Sequence, residues 1–182
     1  MTTSTAHPSP FRASARVPLR IQLDNGYRSG PLDGGWWPQS RDLATECRDL
    51  VDHFPHLVGR PSRLLFSRPD WEDGGEPPVR RLPVASGVVK VGSFPGDDTH
   101  EMVLVMSSRE RLRLLVVPHD VPAETAHRLL LEAADERNTR TASELLADAL
   151  SQVPPPAVDT TGEDDWEDEG GAQRLATGSA GR

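Results

Sequence analysis

Two pairs of strand-like segments, each separated by three residues, constrain the fold of this chain more than any other feature. Segments 80–84 and 88–94 form one pair, and segments 101–107 and 111–118 form the other. In the last segment apolar and polar residues alternate over its first half, which is typical of a half-buried strand. Strands joined by such short turns pair antiparallel, so the sequence predicts two β-hairpins.

The rest of the chain between residues 15 and 151 predicts two more strands and three helices. Segment 16–23 alternates cleanly. Because proline cannot donate to a ladder, either this is an edge strand or Pro18 lies at its start. Segment 62–68 is the second of these strands. The predicted helices carry apolar stripes at helical spacing: one from Ser40, taken as its N-cap, to Phe54, one over 122–133, and one behind a capping box at Thr141.

These elements predict a single α+β domain over residues 15–151. Its antiparallel sheet has five or six strands, either open or curled toward a barrel, and is packed by one helix and a C-terminal helical pair. Residues 1–14 and 152–182 contain too few apolar side chains for a core. They are predicted to be a disordered N-terminal arm and a disordered acidic tail.

Charge and composition exclude several classes of protein. The net charge is −8, of which residues 151–182 contribute −5, so no basic excess favours nucleic-acid binding. The single cysteine, Cys47, excludes an internal disulfide or a thiolate metal cluster. No apolar run approaches the ~20 residues of a membrane span, and the first residues do not resemble a signal peptide. A cytoplasmic protein is therefore expected.

Adjacent tryptophans at positions 36 and 37 are the most distinctive local feature. A flexible Asp33-Gly34-Gly35 segment precedes them and Pro38 follows. Adjacent side chains in an extended segment point to opposite sides, so one indole is expected in the core and the other at the surface. Pro38 restrains Trp37 most, which makes Trp37 the predicted core residue and Trp36 the predicted contact residue. The pair either fastens the loop to the sheet or lines a binding groove.

A candidate binding surface consists of Asp33, Trp36, Trp37, Arg41 and Trp71. Trp71 lies in an acidic loop, where it either covers the same groove or caps the end of the sheet. No catalytic residue, metal site or cofactor is predicted. Cys47 lies in a helical stripe without a partner base, so we expect it to be buried.

The favoured function is a non-enzymatic binding or regulatory module whose tryptophan-lined surface contacts an unidentified protein or small molecule. One alternative is a small enzyme of unknown reaction that uses Asp33 and Arg41 beside the tryptophans. The other is a nucleic-acid-associated factor that uses Arg109, Arg111 and Arg113 on one hairpin, and the acidic net charge disfavours it.

Three stretches resemble a known family. The first is the run from Leu32 to Pro38 with the following Ser40, Asp42 and Leu43 (LDGGWWPxSxDL). Together with the Leu114–Pro118 segment (LLVVP) and Thr125-Ala126-His127, it resembles an actinobacterial family, domain of unknown function 5994, over residues 16–150. The family has alanine and arginine where this chain has Gly35 and Gln39. The resemblance implies one domain in a cytoplasmic actinobacterial protein, and it brings no catalytic residues with it.

Overall fold

A computed structural model describes residues 16–24, 30–72, 80–94 and 99–151 of the protein. The predicted arm, 1–14, and the predicted tail, 152–182, lie outside the described residues. Within the described ranges the strands are β1 (Ile21–Leu23), β2 (Gly34–Trp36), β3 (Pro61–Phe66), β4 (Arg81–Val84), β5 (Gly87–Ser93), β6 (Glu101–Met106) and β7 (Arg111–Val116). The helices are α1 (Leu43–Asp52), α2 (Ala123–Ala133) and α3 (Ala142–Ser151), and a 3-10 turn covers Arg68–Asp70. None of these helices combines the length and apolarity needed to cross a bilayer.

The described strands form one sheet in the order β1-β2-β7-β6-β3-β5-β4. Both predicted hairpins are present, β4 with β5 and β6 with β7. Two other neighbours, β2 with β7 and β3 with β5, run parallel. The α+β class is confirmed. The predicted antiparallel sheet of five or six strands is only roughly right, because the described sheet is mixed, has seven strands and is open between β1 and β4.

Strand β2 is the element that the sequence did not predict. It consists of Gly34, Gly35 and Trp36, and glycine is depleted in strands. The close approach of the β1 backbone explains the glycine at position 34. Its φ is +151°, and a Cβ there would lie 2.2 Å from the carbonyl oxygen of Gln22 on β1. A side chain would therefore prevent the pairing of β1 with β2.

Each face of the sheet is covered by helices, but to different extents. On one face, side chains of α1 and of strands β2 to β7 form the first core. On the other, α2 and α3 cover only the end near β2 and β7 and form the second core. Strand β7 serves both cores, because Leu114 faces the first and Leu115 the second. In β3, β4 and β5, by contrast, the side chains opposite α1 are largely exposed.

The helix starts follow capping chemistry, with one difference from the prediction. Asp42, not Ser40, caps α1, since its carboxylate accepts a hydrogen bond from the Thr45 amide. The Ser40 hydroxyl instead donates to the buried carboxylate of Glu46 at 2.7 Å. The capping box predicted at the start of α3 is confirmed by reciprocal bonds between Thr141 and Glu144.

Candidate functional site

A cavity of about 210 Å³ lies where β2 and β7 end and α1 begins. Its walls come from four segments that are far apart in the sequence. The lining residues are Pro38, Ser40 and Arg41, then Pro69 and Asp70, then His100, and finally Val116, Pro118, His119 and Asp120. We call this cavity the histidine pocket.

The most unusual feature of the histidine pocket is the pairing of Asp70 with His100. The Asp70 side chain is only 4% exposed, and one of its oxygens lies 2.6 Å from Nδ1 of His100. This contact is within ion-pairing distance but lacks the alignment of a hydrogen bond. The other carboxylate oxygen accepts a hydrogen bond from the His100 amide at 3.1 Å. One buried carboxylate thus fixes both the ring and the backbone of His100.

The backbone of His100 is in a left-handed conformation, with φ of +66°. A residue other than glycine rarely adopts this conformation, and such strain often occurs at functional sites. The Nδ1 atom is buried, whereas the side chain as a whole is 30% exposed. The opposite edge of the ring, which carries Nε2, is therefore the part available to a ligand.

Arg41 was predicted as a site residue, and it does line the histidine pocket. Its Nε donates to the carbonyl of Asp70 at 3.2 Å and its Nη2 to the carbonyl of Pro69 at 3.0 Å. The amide of Glu72 in turn donates to the carbonyl of Arg41. Arg41 therefore attaches the segment before Trp71 to the start of α1.

The structure buries both Trp36 and Trp71, which are 1% and 2% exposed. Their ring centroids lie 5.7 Å apart with an angle of 30° between the planes. The prediction that Trp36 is exposed is wrong, because its indole lies in the first core together with Trp71 and side chains of α1. Trp36 precedes Pro38 by two residues and Trp71 directly follows Asp70. The stacked indoles therefore fix the two segments that supply these wall residues.

Trp37 points to the opposite face of the sheet, as the strand alternation predicted, and its predicted burial is confirmed, at 7% exposed. It lies in the second core, with the Arg20 guanidinium 3.5 Å from its ring centroid and His127 packed edge-on at 5.6 Å. Burial lowers the pKa of Arg20, which also donates to the carbonyls of Trp37 and Pro38. Trp37 is not one of the described residues that line the histidine pocket.

Asp33 lies apart from the histidine pocket. Its carboxylate accepts a hydrogen bond from the Arg113 amide at 2.7 Å, and its own amide donates to the Arg113 carbonyl. These bonds extend the pairing of β2 with β7 by one residue. The arrangement postulated for an enzyme, with Asp33 and Arg41 together beside the tryptophans, is therefore not formed.

Sequence reasoning missed Asp70, His100 and His119 as a group. Within the described residues, no three His, Cys, Asp or Glu side chains are placed to hold a metal ion. Asp70 could have been considered from the sequence, because it directly precedes Trp71, a predicted site residue. The pairing itself joins residues 30 positions apart, so no local pattern could reveal it. The predicted burial of Cys47 is confirmed.

Comparison with known proteins gives one match. Neither a curated protein nor a solved structure is significantly similar to the chain. A family model described as "Family of unknown function (DUF5994)" matches residues 20–133. This range contains the tryptophan pair and all four segments of the histidine pocket, and it covers well over half of the sequence. The chain therefore belongs to the DUF5994 family.

Proposed function

We propose that this protein is a binding module that takes a small carboxylate into the histidine pocket, with His100 as its main polar contact. The observation that carries this proposal is the buried Asp70 carboxylate, which holds His100 in a left-handed conformation. Such a backbone costs of order 1–3 kcal/mol, and the pairing also buries a charge. A site that needs a fixed imidazole gains from this arrangement, because the ring and the backbone of His100 are held by one carboxylate.

The chemistry of the walls supports a small anionic ligand. His100 presents its free ring edge, and His119 and Arg41 contribute two further basic side chains. The two carboxylates of the lining, Asp70 and Asp120, lie within ion-pairing distance of His100 and His119. Pro38, Pro69 and Val116 supply apolar surface around them. The cavity is smaller than the ~300 Å³ at which pockets for drug-sized ligands begin. A compact carboxylate with a short apolar portion matches this size and these donors.

The test is a titration of histidine-labelled protein by NMR, with succinate and benzoate as probes. Saturable shifts of the His100 ring signals at low millimolar probe are expected, with loss of binding in H100Q. His56, which is exposed and outside the histidine pocket, provides the matched control H56Q. If neither probe perturbs His100 saturably, or if H100Q binds as well as the wild type, the proposal is wrong.

A second candidate, an enzyme with His100 as general base, is supported by one observation. A carboxylate that orients an imidazole is half of the constellation used in acyl transfer. Ser40, the hydroxyl residue among those that line the histidine pocket, instead donates to Glu46, so water would have to serve as the nucleophile. Hydrolysis of p-nitrophenyl acetate tests this. A rate that exceeds background and falls at least 100-fold in H100Q would favour the enzyme over the binding module.

A further inference from the structure

The sheet face opposite α1 carries a row of cations. Arg63 on β3 is the register partner of Lys90 on β5, and Lys90 is also the partner of Arg81 on β4. All three side chains are exposed and lie on the same face, away from the first core. Adjacent strands are about 4.8 Å apart, so the row spans about 10 Å.

Around this row the surface forms a groove of about 390 Å³. Gly92 contributes no side chain to it, which leaves a hollow on β5 beside Leu65. Arg68 and Arg80 extend the charged lining, and Arg68 donates to the hydroxyl of Ser93 at 3.2 Å. Five cationic residues and no acidic residue line the groove in the described part of the chain. We call it the cationic groove.

The cationic groove is costly for the fold. Like charges on directly opposed strand positions destabilise a sheet. Within the described ranges, the side chains of Arg63, Arg81 and Lys90 have no ion-pair or hydrogen-bond partner to offset that repulsion. The overall composition does not explain them, since the chain carries a net charge of −8. Any polar residues would satisfy the exposed positions of these strands, so the concentration of positive charge in one groove suits a bound anion.

We propose that the cationic groove binds a compact ligand that carries several phosphate groups. Three cations within about 10 Å match the length of a triphosphate, and arginine and lysine are the side chains that bind phosphate best. The concave shape favours a compact ligand over an extended strand. Phe66, the aromatic residue among the lining residues, is buried and offers no platform on which a base could stack.

The test is calorimetric titration of the full chain with inorganic tripolyphosphate in low salt. The double variant R63Q/K90Q removes two adjacent charges from the row. The control R128Q/R137Q removes two charges from exposed arginines of α2 and the following turn, outside the cationic groove. Relative to the wild type, R63Q/K90Q is expected to bind tripolyphosphate at least 10-fold more weakly, and the control less than 2-fold more weakly. Absence of saturable binding, or equal weakening in both variants, overturns the proposal.

A second arm separates a compact phosphate ligand from nucleic acid. A fluorescent 20-base-pair DNA duplex is titrated under the same conditions, and weak, strongly salt-dependent binding is expected. If the duplex binds tightly through Arg63 and Lys90 while tripolyphosphate does not, the groove is a nucleic-acid surface and the proposal fails. Urea denaturation shows whether R63Q/K90Q is folded. Its midpoint should equal or exceed that of the wild type, because the substitutions relieve repulsion.

Discussion

Trp36 and Trp37 are neighbours in the chain but belong to different hydrophobic cores. Trp36 stacks on Trp71 in the first core, and Trp37 packs against Arg20 and His127 on the other face of the sheet. The pair therefore links the two layers that flank β2. This position accounts for two large aromatic side chains in succession at a place where neither reaches solvent.

Alanine substitution of either tryptophan should destabilise the protein substantially. Truncation of a buried aromatic side chain costs about 3–5 kcal/mol. We expect W36A and W37A each to lower the free energy of unfolding by such an amount in urea denaturation. Leu57, which is fully exposed, provides the control L57A, with a change within about 0.5 kcal/mol. A cost below about 1 kcal/mol for either tryptophan would contradict its place in a core.

Alanine substitutions of Gly34 and Gly35 should lower the free energy of unfolding by different amounts. A Cβ at Gly34 would meet backbone atoms of β1, and its positive φ disfavours any side chain. A Cβ at Gly35 would meet the side-chain end of Leu130 at 2.9 Å, which can move, and the Cα of Leu130 at 3.3 Å, which requires a small shift of α2. We expect G34A to cost at least about 2 kcal/mol and G35A about 1 kcal/mol by the same measurement. Equal costs would contradict the close approach of β1 and β2.

Asp42 should make stability depend on pH in the acid range. Its hydrogen bond from the Thr45 amide holds the pKa of this carboxyl below its ordinary value of 3.8. A lowered pKa in the folded state gives stability that is present above the unfolded value and lost as pH falls through the folded one. D42A should therefore cost about 1 kcal/mol at pH 7, and less at pH 2.

The control for this experiment is D42N, which keeps an oxygen acceptor for the cap but carries no charge. Its stability relative to D42A should be nearly independent of pH between 2 and 7. Thermal denaturation across this range measures both variants. A difference between wild type and D42A that is unchanged at pH 2 would show that the charge of Asp42 contributes nothing.

Glu46 should stabilise the protein by holding the segment that leads into α1. Its carboxylate is 1% exposed and accepts hydrogen bonds from Arg16, Ser40 and the Gln39 amide. Hydrogen bonds to a charged group contribute about 1.5–3 kcal/mol each, so E46A should lose at least about 2 kcal/mol of stability. The exposed Glu124 gives the control E124A. If the two variants unfold at the same urea concentration, the buried network has no energetic role.

Cys47 should be chemically inert in the folded protein. Burial raises the pKa of its thiol, and the thiolate is the reactive species. Ellman's reagent should therefore label native protein at least 100-fold more slowly than protein in 6 M urea. Rapid labelling of the native state would show that α1 opens readily or does not pack as described.

The sequence predicted the parts of the fold that depend on neighbouring residues. The hairpins β4–β5 and β6–β7, the capping box at Thr141 and the stripe that contains Cys47 all follow from local spacing. Strand β2 could not be predicted, because its glycines gain their extended pairing only from β1 and β7. Opposite orientations were correctly predicted for Trp36 and Trp37. Their joint burial could not be, since it requires helices on both faces.

Of the residues that line the histidine pocket, the sequence predicted only Arg41 as a site residue. The Asp70–His100 pair depends on a 3-10 turn, on a left-handed residue before β6 and on their meeting in space. The cationic row depends in the same way on the register of three strands, two of which pair in parallel. Such pairings between distant segments carry no local sequence signal.

The double role of β7 has a consequence for how the molecule loses its structure. Because alternate side chains of one strand enter both cores, neither core can melt while the other stays intact. A single cooperative transition should therefore be seen by every probe, including fluorescence from tryptophans on both sides. Removal of α2 and α3 would convert Leu115, Val117 and Trp37 into an uncovered apolar layer. A shortened chain of this kind is expected to self-associate rather than persist as a smaller monomer.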